Sequence, residues 1–253
     1  MKLHYKEIPG IGNPILILHG LFGSSKNWMT TGKELSSIGP VYLLDLRNHG
    51  DSPHSPEHHL KDMVEDVLEF IEFHDLSSPI LLGHSMGGLV CMLFTHFYPT
   101  LVYKLIVVDI APRSYELNYH REFAALRVDP SKFKNRDEID LEMAKHLPDS
   151  FIRKFLQMNL ERKEEGGYRW KLNVDAIEKS KQGFQFQIPS TSQFFGESLF
   201  IFGEKSEYIQ TTDIQLIRNY FPHSHIRYIP EAGHYLHYTH ASEFLRHVKE
   251  FLT

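Results

Sequence analysis

Residues 80–94 read Ile-Leu-Leu-Gly-His-Ser-Met-Gly-Gly-Leu-Val-Cys-Met-Leu-Phe, and this stretch decides how the rest of the chain is interpreted. An apolar run ends at a glycine-rich turn, and a second apolar run of helical length follows. A serine in such a turn adopts a strained backbone, and side chains two residues before or after it would collide with the flanking elements. Gly83 and Gly87 remove those collisions, so the pattern predicts a nucleophile elbow that exposes the Ser85 hydroxyl. A glycine-rich turn without chemistry is the alternative, and the remaining chain must supply a base, an acid and an oxyanion hole.

The composition is that of a folded protein with no electrostatic preference for nucleic acid or anionic membranes. The 253 residues suffice for one large domain, or for a core with one insertion, and 42% of them are hydrophobic. The formal net charge is −5 and the isoelectric point is about 6.4. The single cysteine, Cys91, excludes an internal disulfide and suits a reducing compartment. Because no run has the length of a membrane span and residues 1–7 lack the apolar stretch of a signal peptide, we expect a cytoplasmic monomer or small homo-oligomer.

Strand-like and helix-like segments alternate along most of the chain with short connections. Continuous apolar runs of four or five residues are typical of strands that are buried on both faces of a parallel sheet. Longer segments with apolar residues every three or four positions are typical of amphipathic helices. The alternation predicts an α/β fold, a mostly parallel sheet with helices on both faces. The predicted strands are 2–8, 14–18, 41–44, 79–83, 105–108, 198–202 and 226–229, and the predicted helices are 26–35, 61–74, 86–97, 212–220 and 241–252.

The alternation stops after the strand at 105–108. Between residues 113 and 189 helical periodicity recurs without a convincing buried strand, and the charged run 161–165 is interpreted as a solvated face. We therefore predict a core made of residues 1–112 and 190–253, interrupted by a helical cap insertion of residues 113–189. The predicted helices of this insertion are 119–126, 139–146, 151–160 and 174–182.

A serine nucleophile needs a base, and His234 has the most suitable context among the 17 histidines. It follows the last predicted strand in a loop of small residues, at the same carboxyl edge of the sheet as the elbow, where α/β sheets bind their ligands. His84 adjoins Ser85, but the elbow turns neighbouring side chains away from the serine hydroxyl. His234 is therefore the predicted base.

Three histidines near the C-terminus also raise the possibility of a metal site. His234, His237 and His240 are spaced three residues apart. On a helix the third would lie about 120° around from the first, so the three would not share one face. No cysteine or acidic residue nearby has the spacing of a further ligand, and we expect no metal.

An oxyanion hole needs two backbone donors at the same edge of the sheet. The first is expected to be the N–H of Met86, the residue after the nucleophile. The second is expected from the glycine-rich loop 19–24, which follows the strand at 14–18. The N–H of Leu21 is our first choice and that of Phe22 is the close alternative. An ordinary strand-to-helix turn is the interpretation without chemistry.

Four motifs recur at the carboxyl ends of the predicted strands: His-Gly-Leu-Phe-Gly-Ser at 19–24, Asp-Leu-Arg-Asn-His-Gly-Asp-Ser at 45–52, Gly-His-Ser-Met-Gly-Gly at 83–88 and Val-Asp-Ile-Ala-Pro at 108–112. With Gly233 and His234, they make nearly the whole chain resemble the α/β-hydrolase superfamily. More narrowly they are similar to the bacterial YbfF esterase group and its mammalian relatives. The resemblance implies a serine esterase or thioesterase with a helical cap and no cofactor, and it assigns the expected roles to Ser85, His234, Leu21 and Met86.

The acid of the triad has three candidates in the sequence. Many relatives carry it a few residues after the strand that corresponds to 198–202, but here Ser206 occupies that position. Asp109 follows four apolar residues at the carboxyl edge and is the predicted acid, although capping the start of the insertion is an alternative role for it. Glu207 is the second candidate and Asp175, within the insertion, is the third.

Hydrolysis of a carboxylic ester or acyl thioester through an acyl-Ser85 intermediate is the favoured function. Two alternatives remain, a hydrolase of carbon–carbon bonds in dicarbonyl compounds with the same triad, and a non-catalytic binding module with this fold. Phe22, Phe155 and Trp170 are the predicted substrate-binding residues, because aromatic side chains of the insertion would roof an apolar acyl pocket. Packing of such rings onto the core is the alternative. The expected partner is a small-molecule substrate.

Overall fold

The computed structural model describes residues 1–116, 118–180, 184–189 and 191–253. Its strands are β1 (Tyr5–Ile8), β2 (Ile15–Leu18), β3 (Val41–Leu44), β4 (Ile80–His84), β5 (Lys104–Val108), β8 (Glu197–Gly203) and β9 (Ser224–Ile229), and a separate hairpin is formed by β6 (Leu160–Arg162) and β7 (Tyr168–Trp170). The first seven form one sheet in the order β1-β3-β2-β4-β5-β8-β9, in which every neighbouring pair is parallel except β1 with β3. The predicted mostly parallel α/β fold is thereby confirmed.

Helices cover both faces of this sheet. They are α1 (Met29–Leu35), α2 (Leu60–Phe73), α3 (Met86–Phe97), α4 (His120–Leu126), α5 (Arg136–Ala144), α6 (Ser150–Gln157), α7 (Val174–Lys179), α8 (Asp213–Tyr220), α9 (Leu236–Thr239) and α10 (Ala241–Leu252). On one face, α3 packs over β4 and β5 and α2 packs against α3, and on the other face α1 packs beside α10.

The central strands are buried on both faces, as their continuous apolar runs predict. In β2, Leu16 and Leu18 pack into the larger core cluster, on the face of α2 and α3. Ile15 and Ile17 alternate with them and pack into the second cluster, on the face of α1 and α10. The two-residue period therefore divides each strand between two cores and fixes its register.

The segment between β5 and β8 contains a feature that the helical periodicity does not reveal. The helix predicted for 151–160 ends at Gln157, and Leu160 instead pairs with Trp170 across the β6–β7 hairpin. Gly166 and Gly167, with φ of 97° and 74°, lie in its turn, and the charged run 161–165 extends from β6 into that turn. Strands of only three residues give no period that a sequence pattern resolves. Helix α7 ends at Lys179, and the last residue of its predicted range, Gln182, lies outside the described residues.

Among the described residues, none of the helices has both the length and the apolar character needed to cross a membrane.

Two glycines allow α3 to lie directly against the strands that precede it. A Cβ atom on Gly83 would lie 2.3 Å from the carbonyl oxygen of Gly87. A Cβ atom on Gly87 would lie 2.3 Å from the carbonyl oxygen of Leu18. Both obstacles are backbone atoms, so neither can be relieved by a rotamer change. The close approach of strand and helix at the elbow therefore requires glycine at both positions.

Several histidines are buried in this fold as neutral side chains. Burial lowers the pKa of His58 to about 3, with the positive charge of Arg47 acting in the same direction. Burial likewise lowers the pKa of His237 to about 3, and it holds the pKa values of His49 and His84 well below the usual range of histidine. All four side chains remain uncharged in the folded state at neutral and mildly acidic pH.

Replacing Gly83 with alanine is expected to destabilise the fold by about 2–3 kcal/mol or more, because the added methyl group overlaps a backbone carbonyl. The measurement is urea denaturation at neutral pH. Gly233→Ala is the matched control, since nothing lies within 4 Å of a Cβ atom there. Equal stabilities for the two variants would contradict the packing argument.

Acidification is expected to destabilise the protein through its buried histidines. The unfolded chain binds a proton at each histidine near pH 6.5, whereas folded His58 stays neutral until about pH 3. The unfolded state therefore binds more protons, and the free energy of unfolding falls as pH drops below about 6.5, by up to about 1.4 kcal/mol per pH unit for each such histidine.

The check is urea denaturation at pH 7, 6 and 5. His58→Gln should reduce the slope of the free energy of unfolding against pH by up to about 1.4 kcal/mol per pH unit, the contribution of one bound proton. The neighbouring residue His59 is exposed, and His59→Gln should leave the slope unchanged. A stability that is flat from pH 7 to pH 5 would show that these histidines do not govern acid sensitivity.

Candidate active site

Four loops at the carboxyl edge of the sheet bring the predicted residues together. Ser85 follows β4, Asp109 follows β5, His234 lies beyond β9 and Leu21 follows β2. Because these strands are parallel, their carboxyl ends share one edge, so residues that are distant in sequence become neighbours.

Ser85 has the backbone expected of an elbow. Its φ and ψ are 51° and −119°, and it is the residue immediately before α3. Its own N–H donates to the carbonyl of Val108 over 3.0 Å, which ties the turn to β5. The N–H of Met86, the first residue of α3, has no acceptor one turn earlier within the helix. A donor of this kind next to the serine is what a developing oxyanion requires.

His234 and Asp109 form a direct pair. The Nδ1 atom of His234 lies 2.7 Å from Oδ2 of Asp109, so the imidazole donates through Nδ1 and its Nε2 atom is left as the acceptor. The His234 ring also stacks on Tyr208, with centroids 3.8 Å apart and planes 17° from parallel. The carboxylate and the phenol ring together fix the tautomer and the orientation of the imidazole.

Asp109 is fully buried, and its carboxylate is satisfied by donors from the β8 loop. Oδ1 accepts the N–H of Gly203 over 2.9 Å, and Oδ2 accepts the hydroxyl of Ser206 as well as the imidazole of His234. A buried carboxylate is tolerated when such donors compensate for lost hydration. The sequence reasoning missed this role of Ser206, although the signal was present: serine stands where many relatives carry the acid itself.

The other two acid candidates lie elsewhere. Glu207 contributes to the wall of a cavity at Ser85, and no hydrogen bond joins it to His234 among the described residues. The side chain of Asp175 is 65% exposed and pairs with Arg127 on the protein surface. Both residues belong to the segment between β5 and β8, which we call the inserted segment.

His84 supports the loop that carries His234. Its Nε2 atom lies 2.9 Å from the carbonyl oxygen of His234, which can only accept, so His84 is the donor. Burial holds the pKa of His84 well below its usual range. Because the buried His84 ring is already bonded to the backbone, it positions the loop of His234. His234 therefore remains the predicted base.

The structure separates the two candidates for the second oxyanion donor. The N–H of Phe22 donates to Nε2 of His49 over 3.2 Å, and its carbonyl accepts from Asn159 of the inserted segment over 2.7 Å. Phe22 has a φ of 61°, so these two bonds hold a strained residue in place. Since the Phe22 N–H is engaged, Leu21 is the better candidate, and it lines the same cavity as Ser85 and His234.

The three C-terminal histidines have three different environments. His234 pairs with Asp109, while the ring of His237 stacks on Trp28 at 4.3 Å with planes 5° from parallel. The Nδ1 atom of His240 lies 2.9 Å from the hydroxyl of Thr239. Their side chains therefore make separate contacts, with a carboxylate, an aromatic ring and a hydroxyl.

Two cavities meet at Ser85. The smaller, of about 20 Å³, is lined by Leu21, His234 and Tyr235, among others. The larger, of about 350 Å³, combines polar with apolar walls. Its lining includes Met86, Leu89, Ile110, Arg113, Tyr115, Glu116, Tyr119, Phe184, Glu207 and Tyr208.

The predicted substrate-binding residues occupy three different places. Phe22 is buried in the wall of the smaller cavity, with its ring against Tyr119 and Phe123. Phe155 packs on Tyr235 and lines a separate aromatic cavity. Trp170 lies in the hairpin and donates its indole N–H to the Val128 carbonyl over 3.0 Å, and it is not among the lining residues of the cavities at Ser85.

Comparison with known proteins shows relatives along the whole chain. A sn-1-specific diacylglycerol lipase of Danio rerio is 32% identical over all of this chain and 83% of its own length. An ethanol acetyltransferase of Cyberlindnera fabianii is 28% identical over 94% of this chain and 79% of its length. The solved structure of a marine microorganism esterase is 40% identical, covers 99% of both chains and superposes with a TM-score of 0.94.

The lipase and the esterase among these relatives confirm the prediction of a hydrolase of the esterase and lipase type. The profile of the α/β-hydrolase fold family matches residues 13–241, which is most of the sequence. The chain therefore belongs to the α/β-hydrolase fold family.

Proposed function

We propose that the protein is a serine hydrolase of carboxylic esters that acts through an acyl-Ser85 intermediate. The observation that carries the proposal is the Asp109–His234 pair at 2.7 Å, placed at the same strand edge as a serine with elbow geometry. His234 and Ser85 line one cavity. A buried carboxylate, an oriented imidazole and an activated hydroxyl are the components of acyl transfer.

The acylation step follows from the tautomer of His234. With Nδ1 donating to Asp109, Nε2 accepts the proton of the Ser85 hydroxyl as Oγ bonds to the substrate carbonyl carbon. The imidazolium then returns this proton to the leaving alcohol oxygen as the carbon–oxygen bond breaks. In deacylation, water gives its proton to Nε2, its oxygen bonds to the acyl carbon, and Ser85 recovers the proton as the acid leaves.

Charge that develops on the carbonyl oxygen is stabilised by the backbone donors of Leu21 and Met86. Such donors are effective because they are already oriented when the charge appears. His49 and Asn159 contribute indirectly, since their bonds to Phe22 hold the loop that presents Leu21. Asp109 stabilises the imidazolium through the same bond that selects its tautomer.

The substrate is an ester of a small molecule in this proposal, and an acyl thioester is the second substrate class, since the same attack on a carbonyl applies. Residues 113–189 act as a cap in this proposal, because Arg113, Tyr119, Ile152 and Phe184 from this segment line the cavities at Ser85. The cysteine count, with Cys91 buried in α3, fits the reducing cytoplasm as the location.

Ser85 is expected to form a single covalent adduct with a fluorophosphonate probe, because only an activated serine hydroxyl attacks phosphorus at an appreciable rate. Intact-protein mass spectrometry should show one adduct per chain, and peptide mapping should place it on Ser85. Ser85→Ala is the control, and stoichiometric labelling of that variant would contradict the assignment.

Asp109→Asn is expected to lower kcat on an ester by on the order of 10³- to 10⁴-fold, because the amide no longer imposes the correct tautomer on His234. Glu207→Gln is the matched control, a carboxylate-to-amide change in the neighbouring loop, and should retain kcat within about tenfold. Circular dichroism verifies that both variants are folded. A large loss in Glu207→Gln with near-normal Asp109→Asn would transfer the role of acid to Glu207.

A further inference from the structure

A third cavity, of about 240 Å³, lies between α6 and the region of α9, and the catalytic mechanism does not use it. We call it the aromatic cavity. It shares Tyr235 with the small cavity that contains Ser85 and His234. The residues of its wall that matter here are Phe151, Phe155, Met158, Tyr235, His237 and Tyr238.

The walls of this cavity leave apolar surface uncovered. Phe155 and Phe151 pack against Tyr235 with ring centroids 5.1 and 5.3 Å apart, and these contacts build the inner wall. At the mouth, Phe151 is 37% exposed and Tyr238 is 69% exposed. A concave site with aromatic walls favours an apolar ligand group.

The position of His234 decides which half of an ester lies on this side. The imidazolium must deliver its proton to the leaving oxygen, so the alcohol half of the substrate lies in the cavity that His234 lines. Tyr235 is the wall between that cavity and the aromatic cavity. The acyl half then lies on the side of Met86 and Leu89, in the larger and more polar cavity.

We propose that the aromatic cavity is the alcohol subsite of the enzyme and binds an apolar alkyl or aryl alcohol group, with Tyr235 as the partition that this group passes. This proposal rests on the proposed ester hydrolysis and specifies how the ester is oriented in the site. It reverses the sequence-based expectation, because the aromatic residue Phe155 then selects the alcohol and not the acyl chain. The larger cavity, whose walls include Arg113 and Glu207, accepts a short or polar acyl group.

The direct test varies the two halves of the ester separately. One series contains acetates of ethanol, butanol, hexanol and 4-phenylbutanol, and the other contains ethyl esters of acids of two to eight carbons. In the acetate series, kcat/KM of the wild-type enzyme should rise by up to about fourfold for each methylene buried. Phe155→Trp fills the aromatic cavity and should flatten this rise, while the acyl-length profile stays as in the wild type.

Phe133→Trp is the matched control, the same change at a half-buried position of the inserted segment that is not in the lining of the aromatic cavity. It should leave both profiles unaltered. If Phe155→Trp changes the acyl profile and not the alcohol profile, the assignment is overturned. If neither profile responds to Phe155→Trp, the cavity does not contact the substrate and the proposal is wrong.

A binding measurement separates this proposal from the proposed function. Calorimetric titration of Ser85→Ala with 4-phenylbutanol tests occupancy without turnover, and Ser85→Ala/Phe155→Trp should bind at least about tenfold more weakly. If no ester is hydrolysed but this difference is found, the ester hydrolase function fails and the cavity stands as an alcohol site. If neither protein binds 4-phenylbutanol, the alcohol subsite is excluded whether or not esters are hydrolysed.

Discussion

Two backbone hydrogen bonds just beyond the ends of adjacent strands hold the candidate catalytic centre together. The N–H of Ser85 donates to the Val108 carbonyl over 3.0 Å, and the N–H of Asp109 donates to the Ile201 carbonyl over 2.9 Å. Ser85 and Asp109 have φ values of 51° and 54°, which cost on the order of 1–3 kcal/mol each for side-chain-bearing residues. Such strain persists only where the surroundings determine the backbone, and here the parallel sheet does so. Ser85 and Asp109, the proposed nucleophile and acid, are therefore fixed relative to each other by the β4–β5–β8 ladder.

The features that the sequence predicts well are those that a local pattern encodes. The elbow needs glycine at fixed positions, and the strand-to-helix switch at Ser85 shows in the apolar runs on either side. Asp109 could be proposed as the acid from the sequence because an acidic residue directly follows a buried strand. The hydrogen bonds from Ser206 and Gly203 to Asp109 could not be foreseen, since they join residues about 95 positions apart through the geometry of β8. The β6–β7 hairpin was missed because three-residue strands have no readable period.

The aromatic residues of the inserted segment show why composition alone does not locate a binding site. Phe155 and Trp170 count equally as aromatic residues of the sequence, but their contacts differ. Phe155 lies against Tyr235, which lines the smaller cavity at Ser85. Trp170 instead donates its indole N–H to the Val128 carbonyl within the inserted segment. Their distance from Ser85 depends on where α6 and the hairpin lie over the sheet. That placement follows from long-range contacts, and a sequence pattern does not contain it.

The inserted segment is attached to the core in two physically different ways. On the side of the oxyanion loop the attachment is by directed hydrogen bonds, from Asn159 to the Phe22 carbonyl over 2.7 Å and from Ser180 to the His58 carbonyl over 2.9 Å. On the side of His234 it includes ring contacts of Phe151 and Phe155 with Tyr235, together with a hydrogen bond between the hydroxyls of Tyr119 and Tyr208 over 2.7 Å. Hydrogen bonds weaken steeply when their geometry changes, whereas ring contacts are favourable over a range of distances and tilts. The Asn159 bond therefore constrains the Phe22 loop more tightly than the ring contacts of Phe151 and Phe155 constrain the wall at Tyr235, where the alcohol group is proposed to bind.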